Sequence, residues 1–169
     1  MVCNGKEIIR IMKTWNEYYM DMLPLVAQRS SCIRHQIAAI LTKNDHILAT
    51  GYNGTPHGIL NCNDGGCIRC ASDIAQNLGY DFCSCLHAEE NILLDAAITG
   101  ISVVGCVVYT TFRPCIGCLR KLIQCRIKIV YYGGDWDFSY NNSELENFHQ
   151  SLIKQSGIEM VWMQTDEPA

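Results

Sequence analysis

An α/β fold, with helices on both faces of one sheet, is what this 169-residue sequence predicts. Three observations lead there. Two continuous apolar runs, 37–42 and 47–52, flank Lys43-Asn44-Asp45-His46 and read as a hairpin. Helical and strand patterns then alternate from His87 onward, and such βαβ units dictate parallel strands joined by right-handed crossovers. With 49% of residues apolar, the chain can bury the core of a single domain, 1–169.

The elements follow in order. Ile8, Ile9, Met12, Trp15, Tyr19, Met22 and Val26 stand at near-helical spacing, predicting an amphipathic helix over 6–29 that Pro24 would kink. After the hairpin Asn53-Gly54 turns the chain. Through 55–86 glycine and cysteine are dense and hydrophobic periodicity fades, so this is a cysteine-rich insertion, and a loop of that length usually has a function. Next come a helix from His87 stopped by Gly100, a strand over 105–111 and a helix from Pro114 to about Cys125. A strand over 127–132, a helix over 143–156 and a last strand over 158–163 complete the pattern. Residues 165–169 read as a frayed tail.

Composition narrows the function. Thirteen basic residues against 17 acidic give a formal charge of −4, with no Lys/Arg cluster to draw nucleic acid or a membrane surface. No run approaches the ~18 apolar residues of a membrane helix, and the N-terminus lacks the apolar core of an export signal. The expectation is a cytoplasmic protein with no nucleic-acid or membrane partner. Eleven cysteines, an odd count at metal-like spacings, then suggest zinc and reduced thiols rather than disulfides.

The most specific signal is His87-Ala88-Glu89 followed by Pro114-Cys115-Ile116-Gly117-Cys118. One imidazole and two thiolates make a three-ligand zinc set, which leaves a tetrahedral ion one open position, whereas structural zinc is closed by four ligands. Cys115 and Cys118, spaced i, i+3 after a proline suited to a first helical turn, can turn both sulfurs to one point, where the helix dipole favours thiolate. Water on such a zinc ionises near pH ~7. Glu89, two residues after His87, would shuttle protons beside it, a role that wants a carboxyl pKa raised by a dry site. A closed zinc knuckle with Glu89 on a solvated helix face is the plainer alternative. The paired half-motifs are a general signature of zinc nucleobase deaminases, from which these roles come.

The likeness extends further. Trp15-Asn16-Glu17-Tyr18-Tyr19, Arg29-Ser30-Ser31-Cys32-Ile33-Arg34 and Gly51-Tyr52-Asn53-Gly54-Thr55-Pro56, together with Tyr109-x-Thr111-x-x-Pro114 and the stretch 123–131, resemble zinc-dependent deoxycytidylate (dCMP) deaminases of the cytidine/deoxycytidylate deaminase superfamily. The shorter bacterial and viral kind is the nearer likeness. The resemblance implies a three-layer α-β-α sandwich with a five-stranded mixed sheet, and hydrolysis of dCMP to dUMP and ammonia. It also implies a homo-oligomer (hexamer or dimer) and control by dCTP and dTTP, with Mg as the cation expected beside such an effector. Rival readings are a deaminase of dCTP or of tRNA adenosine, and a non-catalytic zinc and nucleotide-binding protein. The acidic balance argues against the tRNA enzyme, and an intact Glu89 against the non-catalytic protein.

The resemblance also assigns contacts. Asn53 matches the asparagine that meets the nucleotide sugar, though a turn residue before Gly54 accounts for it equally. The Ala88 backbone matches the group that meets the base. Ala38 departs from the family's usual glycine. Arg113, another departure, would either hold the substrate phosphate or pair with a carboxylate, with Arg29 and Arg34 as competing anion binders. Trp136, with Phe138 and Tyr140, stands where the family often places an aromatic over the substrate; local packing is the alternative. A second, structural zinc is implied at Cys32, Cys62, Cys67 and Cys83, with Cys70 and Cys85 as additional cysteines. A local set of Cys67, Cys70, Cys83 and Cys85 competes, as do free thiols. Cys3, Cys106 and Cys125 read as packing residues.

Overall fold

The computed structural model describes residues 12–74, 79–135 and 143–164. The first part of the expected N-terminal helix, Cys3, the aromatics Trp136, Phe138 and Tyr140, and the expected frayed tail lie outside them.

Helix α1 (Trp15–Ala27) begins where Thr14 and Glu17 form a reciprocal cap, each side chain bonding the other's backbone N–H. That Thr-x-x-Glu signal, rather than apolar spacing, sets the start. Pro24 falls in the last turn and the helix continues past it to Ala27. Strands β1 (Ala38–Lys43) and β2 (His46–Tyr52) pair antiparallel through a two-residue turn. Asn44 and Asp45 both adopt positive φ there, 49° and 60°, as the tight hairpin turn that matches strand twist requires.

Beyond the insertion come α3 (Ala88–Thr99), β3 (Val107–Phe112), α4 (Ile116–Gln124), β4 (Ile129–Gly134), α5 (Ser143–Ser156) and β5 (Glu159–Trp162). Among its described residues the insertion has a four-residue helix α2 (Ile68–Ala71) and single 3-10 turns at Cys62–Asp64 and Tyr80–Phe82. Sheet order is β2-β1-β3-β4-β5. β1 runs antiparallel to β2 and β3, whereas β3, β4 and β5 are mutually parallel. This is the expected five-stranded mixed sheet. β3 and β4 run on to the pair Phe112–Gly134, beyond the predicted ends. The Phe112 ring lies where a Cβ on residue 134 would stand, so Gly134 here extends the strand instead of ending it.

Alternate residues of β1 face opposite layers. Ala38 and Ile40 join Tyr19, Met20, Leu23, Ala27 and Tyr109 beneath α1. Ala39 and Leu41 instead join Ile92 and Ala96 of α3, Leu119 and Leu122 of α4, and Val108 and Val130. Leu152 and Ile153 of α5 pack against that second cluster. Among the described residues helices therefore cover both faces, α1 on one side and α3, α4 and α5 on the other. The Ala38 methyl, at the position where glycine is usual, fills space under α1.

The approach of α3 to the sheet depends on Gly51. A Cβ there would stand 2.8 Å from the Ala88 carbonyl oxygen and 2.9 Å from Ile92 Cγ2, so the first turn of α3 rests directly on β2. Gly51→Ala is expected to cost ~1–3 kcal/mol through this overlap. Denaturant unfolding measures it, and an unchanged midpoint would contradict the close packing.

Candidate metal centre and active site

Two helix N-termini meet at the centre of the molecule. His87 is the N-cap of α3 and Cys115 the N-cap of α4, with Cys118 one turn in. His87 Nδ1 lies 3.6 Å from Cys115 Sγ and 3.4 Å from Cys118 Sγ, and the three donor atoms all lie within 4.8 Å of one another. Zinc with bonds of about 2.3 Å to sulfur and about 2.0 Å to nitrogen spaces a tetrahedral N···S edge about 3.5 Å apart. The three donors therefore fit such an ion, with a fourth position left over.

Neighbours fix each ligand. Glu90 accepts the His87 backbone N–H at 3.1 Å and pairs with Lys121 of α4, tying the two helix starts together. The Cys118 N–H points at Cys115 Sγ, 3.5 Å away. Cys115 is held down to about 4, first by its hydrogen bond with Cys118 and then by His87, while the Cys118 thiol is pushed up by the same bond. His87 is raised to about 9, chiefly by Cys115. The set is thus predisposed to carry a thiolate. Glu89 is only 4% exposed, and burial pushes its carboxyl up to about 7, the environment expected for a proton carrier.

Asn53 and Ala88 lie beside this centre. An antiparallel β-bridge pairs Gly54, the residue after Asn53, with Leu86, the residue before His87. The Asn53 amide does more than turn the chain: Oδ1 accepts from the Ile37 N–H at 2.8 Å and the Ser30 hydroxyl at 2.7 Å, and Nδ2 donates to the His35 carbonyl at 2.9 Å. It therefore shapes the 30–37 segment. Ala88 is fully buried at the first turn of α3, where backbone N–H groups lack helical partners.

Arg113 takes the carboxylate pairing, one of the two roles expected of it. Rather than facing a phosphate, it forks onto Glu146 of α5 at 2.7 and 3.0 Å, and its Nε lies 2.8 Å from an Asp135 oxygen. The guanidinium is buried, so its planar set of donors serves these carboxylates. Arg34 is likewise committed, donating to the carbonyls of Arg69, Ser72 and Ile74 in the insertion. His149, which the sequence reading passed over, is fully buried and donates through Nε2 to the Pro114 carbonyl at 3.0 Å. Its signal was its place between Leu145 and Ile153 on the apolar stripe of α5. Together Arg113–Glu146 and His149–Pro114 clamp the loop that carries Cys115.

The predicted structural quartet is divided. Cys32 and Cys62 gather with Cys70 and Cys85, whereas Cys67 and Cys83 gather with the same Cys70 and Cys85; the second group is the local alternative. Strand and helix patterns carry no information on which distant sulfurs meet, so spacing could not choose between them.

A buried carboxyl beside an imidazole and two thiols at paired helix starts is a donor set that suits zinc with one position left open. Comparison with known proteins gives its kind. The cytidine and deoxycytidylate deaminase zinc-binding region matches residues 13–134, and the chain belongs to that family. A deoxycytidylate deaminase of Schizosaccharomyces pombe is 39% identical over 153 residues, covering 89% of this chain and 44% of the relative. That of Saccharomyces cerevisiae is 36% identical over 167 residues, covering 96% and 50%. The chain thus spans about half the length of these relatives. The crystal structure of a dCMP deaminase from the cyanophage S-TIM5 in complex with dCMP and dUMP is similar at a TM-score of 0.69 and 30% identity, covering 91% of this chain and 100% of the other. The fungal proteins are matched at higher identity, whereas the cyanophage chain is the one covered in full, as expected of the shorter bacterial and viral kind.

The clamp makes a pH prediction. Arg113 holds the Glu146 carboxyl down to about 2, below its usual 4.5, so the stabilisation is present above about 4.5 and lost as pH falls toward 2. Glu146→Gln should lower stability near neutrality and flatten the loss between pH 5 and about 2.5 relative to wild type. Parallel acid profiles for the two proteins in denaturant would refute the clamp.

Proposed function

We propose that this chain hydrolyses dCMP to dUMP and ammonia, supplying dUMP toward dTMP. The observation that carries the reading is the three-donor centre at His87, Cys115 and Cys118 with the buried Glu89 carboxyl beside it. The substrate is that named for the fungal relatives and bound in the cyanophage structure.

When bound, zinc supplies an activated water as nucleophile. The protein does the rest of the work by positioning and proton transfer. Glu89 would take a proton from the attacking water and pass it to N3 of the cytosine ring, then take the proton of the resulting C4 hydroxyl and deliver it to the amino group that leaves as ammonia. A carboxyl raised to about 7 can hold and release a proton near neutral pH, which a solvated glutamate does poorly. The Ala88 backbone would orient the base and the remaining N–H of Asn53 the sugar. Trp136 remains the candidate aromatic over the ring. Arg29, exposed at the end of α1, takes the phosphate role that Arg113 cannot. A cavity of about 450 Å³, lined by residues 30–36 and Asn63, begins at the next residue along the chain.

A structural zinc held by thiolates of the insertion belongs to the same reading, as do a homo-oligomer and regulation by dCTP and dTTP with Mg. A cytoplasmic location is part of the same proposal; no helix among the described residues is long and apolar enough to cross a membrane.

Glu89→Gln should keep fold and zinc yet lose ~10²–10⁴-fold or more in ammonia release from dCMP, because the amide preserves shape and removes the proton carrier. Wild-type turnover in that variant would take Glu89 out of the reaction. In the unmodified protein, dCMP should have a kcat/KM well above that of deoxycytidine, and Arg29→Ala should narrow the gap by raising KM for dCMP. Equal values for the two substrates would exclude a phosphate subsite.

A further inference from the structure

The insertion is packed inside out. Ile59, Leu60, Ile68 and Phe82 are exposed, Ile68 by 77% and Phe82 by 70%, while the interior is made of sulfur. Cys32, Cys62, Cys67, Cys70 and Cys85 are buried together and Cys83 packs against them. Apolar burial therefore contributes little to holding this segment, and six clustered thiols without a cation would leave weak donors in place of a core.

The sulfurs have a particular arrangement. They form two tetrads, each with all its sulfurs within 4.8 Å, and the tetrads share Cys70 and Cys85. Cys32 and Cys70 are 3.9 Å apart in the first, and Cys67 and Cys83 are 3.8 Å apart in the second. An edge of a tetrahedral zinc–thiolate site with bonds of about 2.3 Å is about 3.8 Å long. Both tetrads are thus of zinc size. One ion in either tetrad would leave two thiols of the other without a metal, Cys32 and Cys62 or Cys67 and Cys83. Four terminal thiolates and two bridging ones, however, fill all the positions of two tetrahedral ions sharing an edge.

From this we propose that the insertion holds a dinuclear zinc–thiolate cluster, with Cys70 and Cys85 bridging, Cys32 and Cys62 terminal on one ion, and Cys67 and Cys83 terminal on the other. It rests on the reading that the insertion binds zinc and replaces the single ion of that reading with two. Six thiolates exceed the charge of two divalent ions, and Arg34 brings its guanidinium to the cluster's edge, donating to the carbonyls of Arg69 and Ser72 on either side of Cys70. The cluster also reaches the catalytic centre. Cys85 precedes Leu86, whose backbone is bridged to Gly54, and His87 comes next. Closing the cluster fixes the chain that delivers the imidazole.

The test is metal content and X-ray absorption on the purified, zinc-replete full chain. Expected are about three zinc ions per chain, one at His87, Cys115 and Cys118 and two in the cluster, with metal–metal scattering at the ~3 Å of edge-sharing tetrahedra. Two ions per chain without that scattering would overturn the dinuclear cluster and leave a single structural zinc. One ion per chain would remove zinc from the insertion altogether. Cys70→Ser should cost both cluster ions and Cys32→Ser only one; equal losses would overturn the bridging assignment. Should either variant fail to fold, the wild-type count and scattering decide the matter unaided.

Discussion

The starts of α3 and α4 lie within bonding reach of each other, His87 Nδ1 being 3.4 Å from Cys118 Sγ, and the rest of the molecule is arranged to keep them there. Such a meeting is electrostatically awkward. Each helix start carries partial positive charge, and a divalent cation between two of them adds to it. With the ion bound, Cys115 and Cys118 would compensate as thiolates, as does the carboxylate of Glu90, which caps His87 and pairs with Lys121 across the junction. On one side, the absence of a side chain at Gly51 lets α3 rest on the hairpin. On the other, α5 pins the loop before α4 through Glu146 and His149.

Two kinds of cohesion divide the chain. The sheet and its four long helices are held by apolar burial, split into a cluster beneath α1 and a larger one beneath α3, α4 and α5. The insertion is held through sulfur and through Arg34, which spends its donors on backbone carbonyls there. The two regions join at the Gly54–Leu86 bridge, one residue from the imidazole. Order in the insertion and order at the active site are consequently coupled. Removing metal from the one should loosen the other without touching its ligands.

His87, Glu89, Cys115 and Cys118 were legible because their chemistry is local: an i, i+2 pair and an i, i+3 pair, each at a helix start. The hairpin, the α3 stop and the extent of α5 were legible for the same reason. Arg113 was not, since its partner Glu146 is 33 residues away on another helix, and a guanidinium beside a motif gives no sign of which carboxylate will reach it. The six cysteines were recognisable as a candidate metal-binding set, but their division into tetrads depends on how three irregular segments fold back on each other. Strand ends were missed at Gly134, where a residue usually read as a stop makes room for the Phe112 ring.

Diffraction at the zinc absorption edge, from crystals of the zinc-replete protein with dCMP bound to the Glu89→Gln variant, tests the central claim most directly. The account predicts an anomalous peak bonded to His87 Nδ1, Cys115 Sγ and Cys118 Sγ, a fourth ligand that is not protein, and the cytosine ring beside it with residue 89 within hydrogen-bonding reach. A fourth protein donor on that ion, or a nucleotide bound elsewhere, would contradict it.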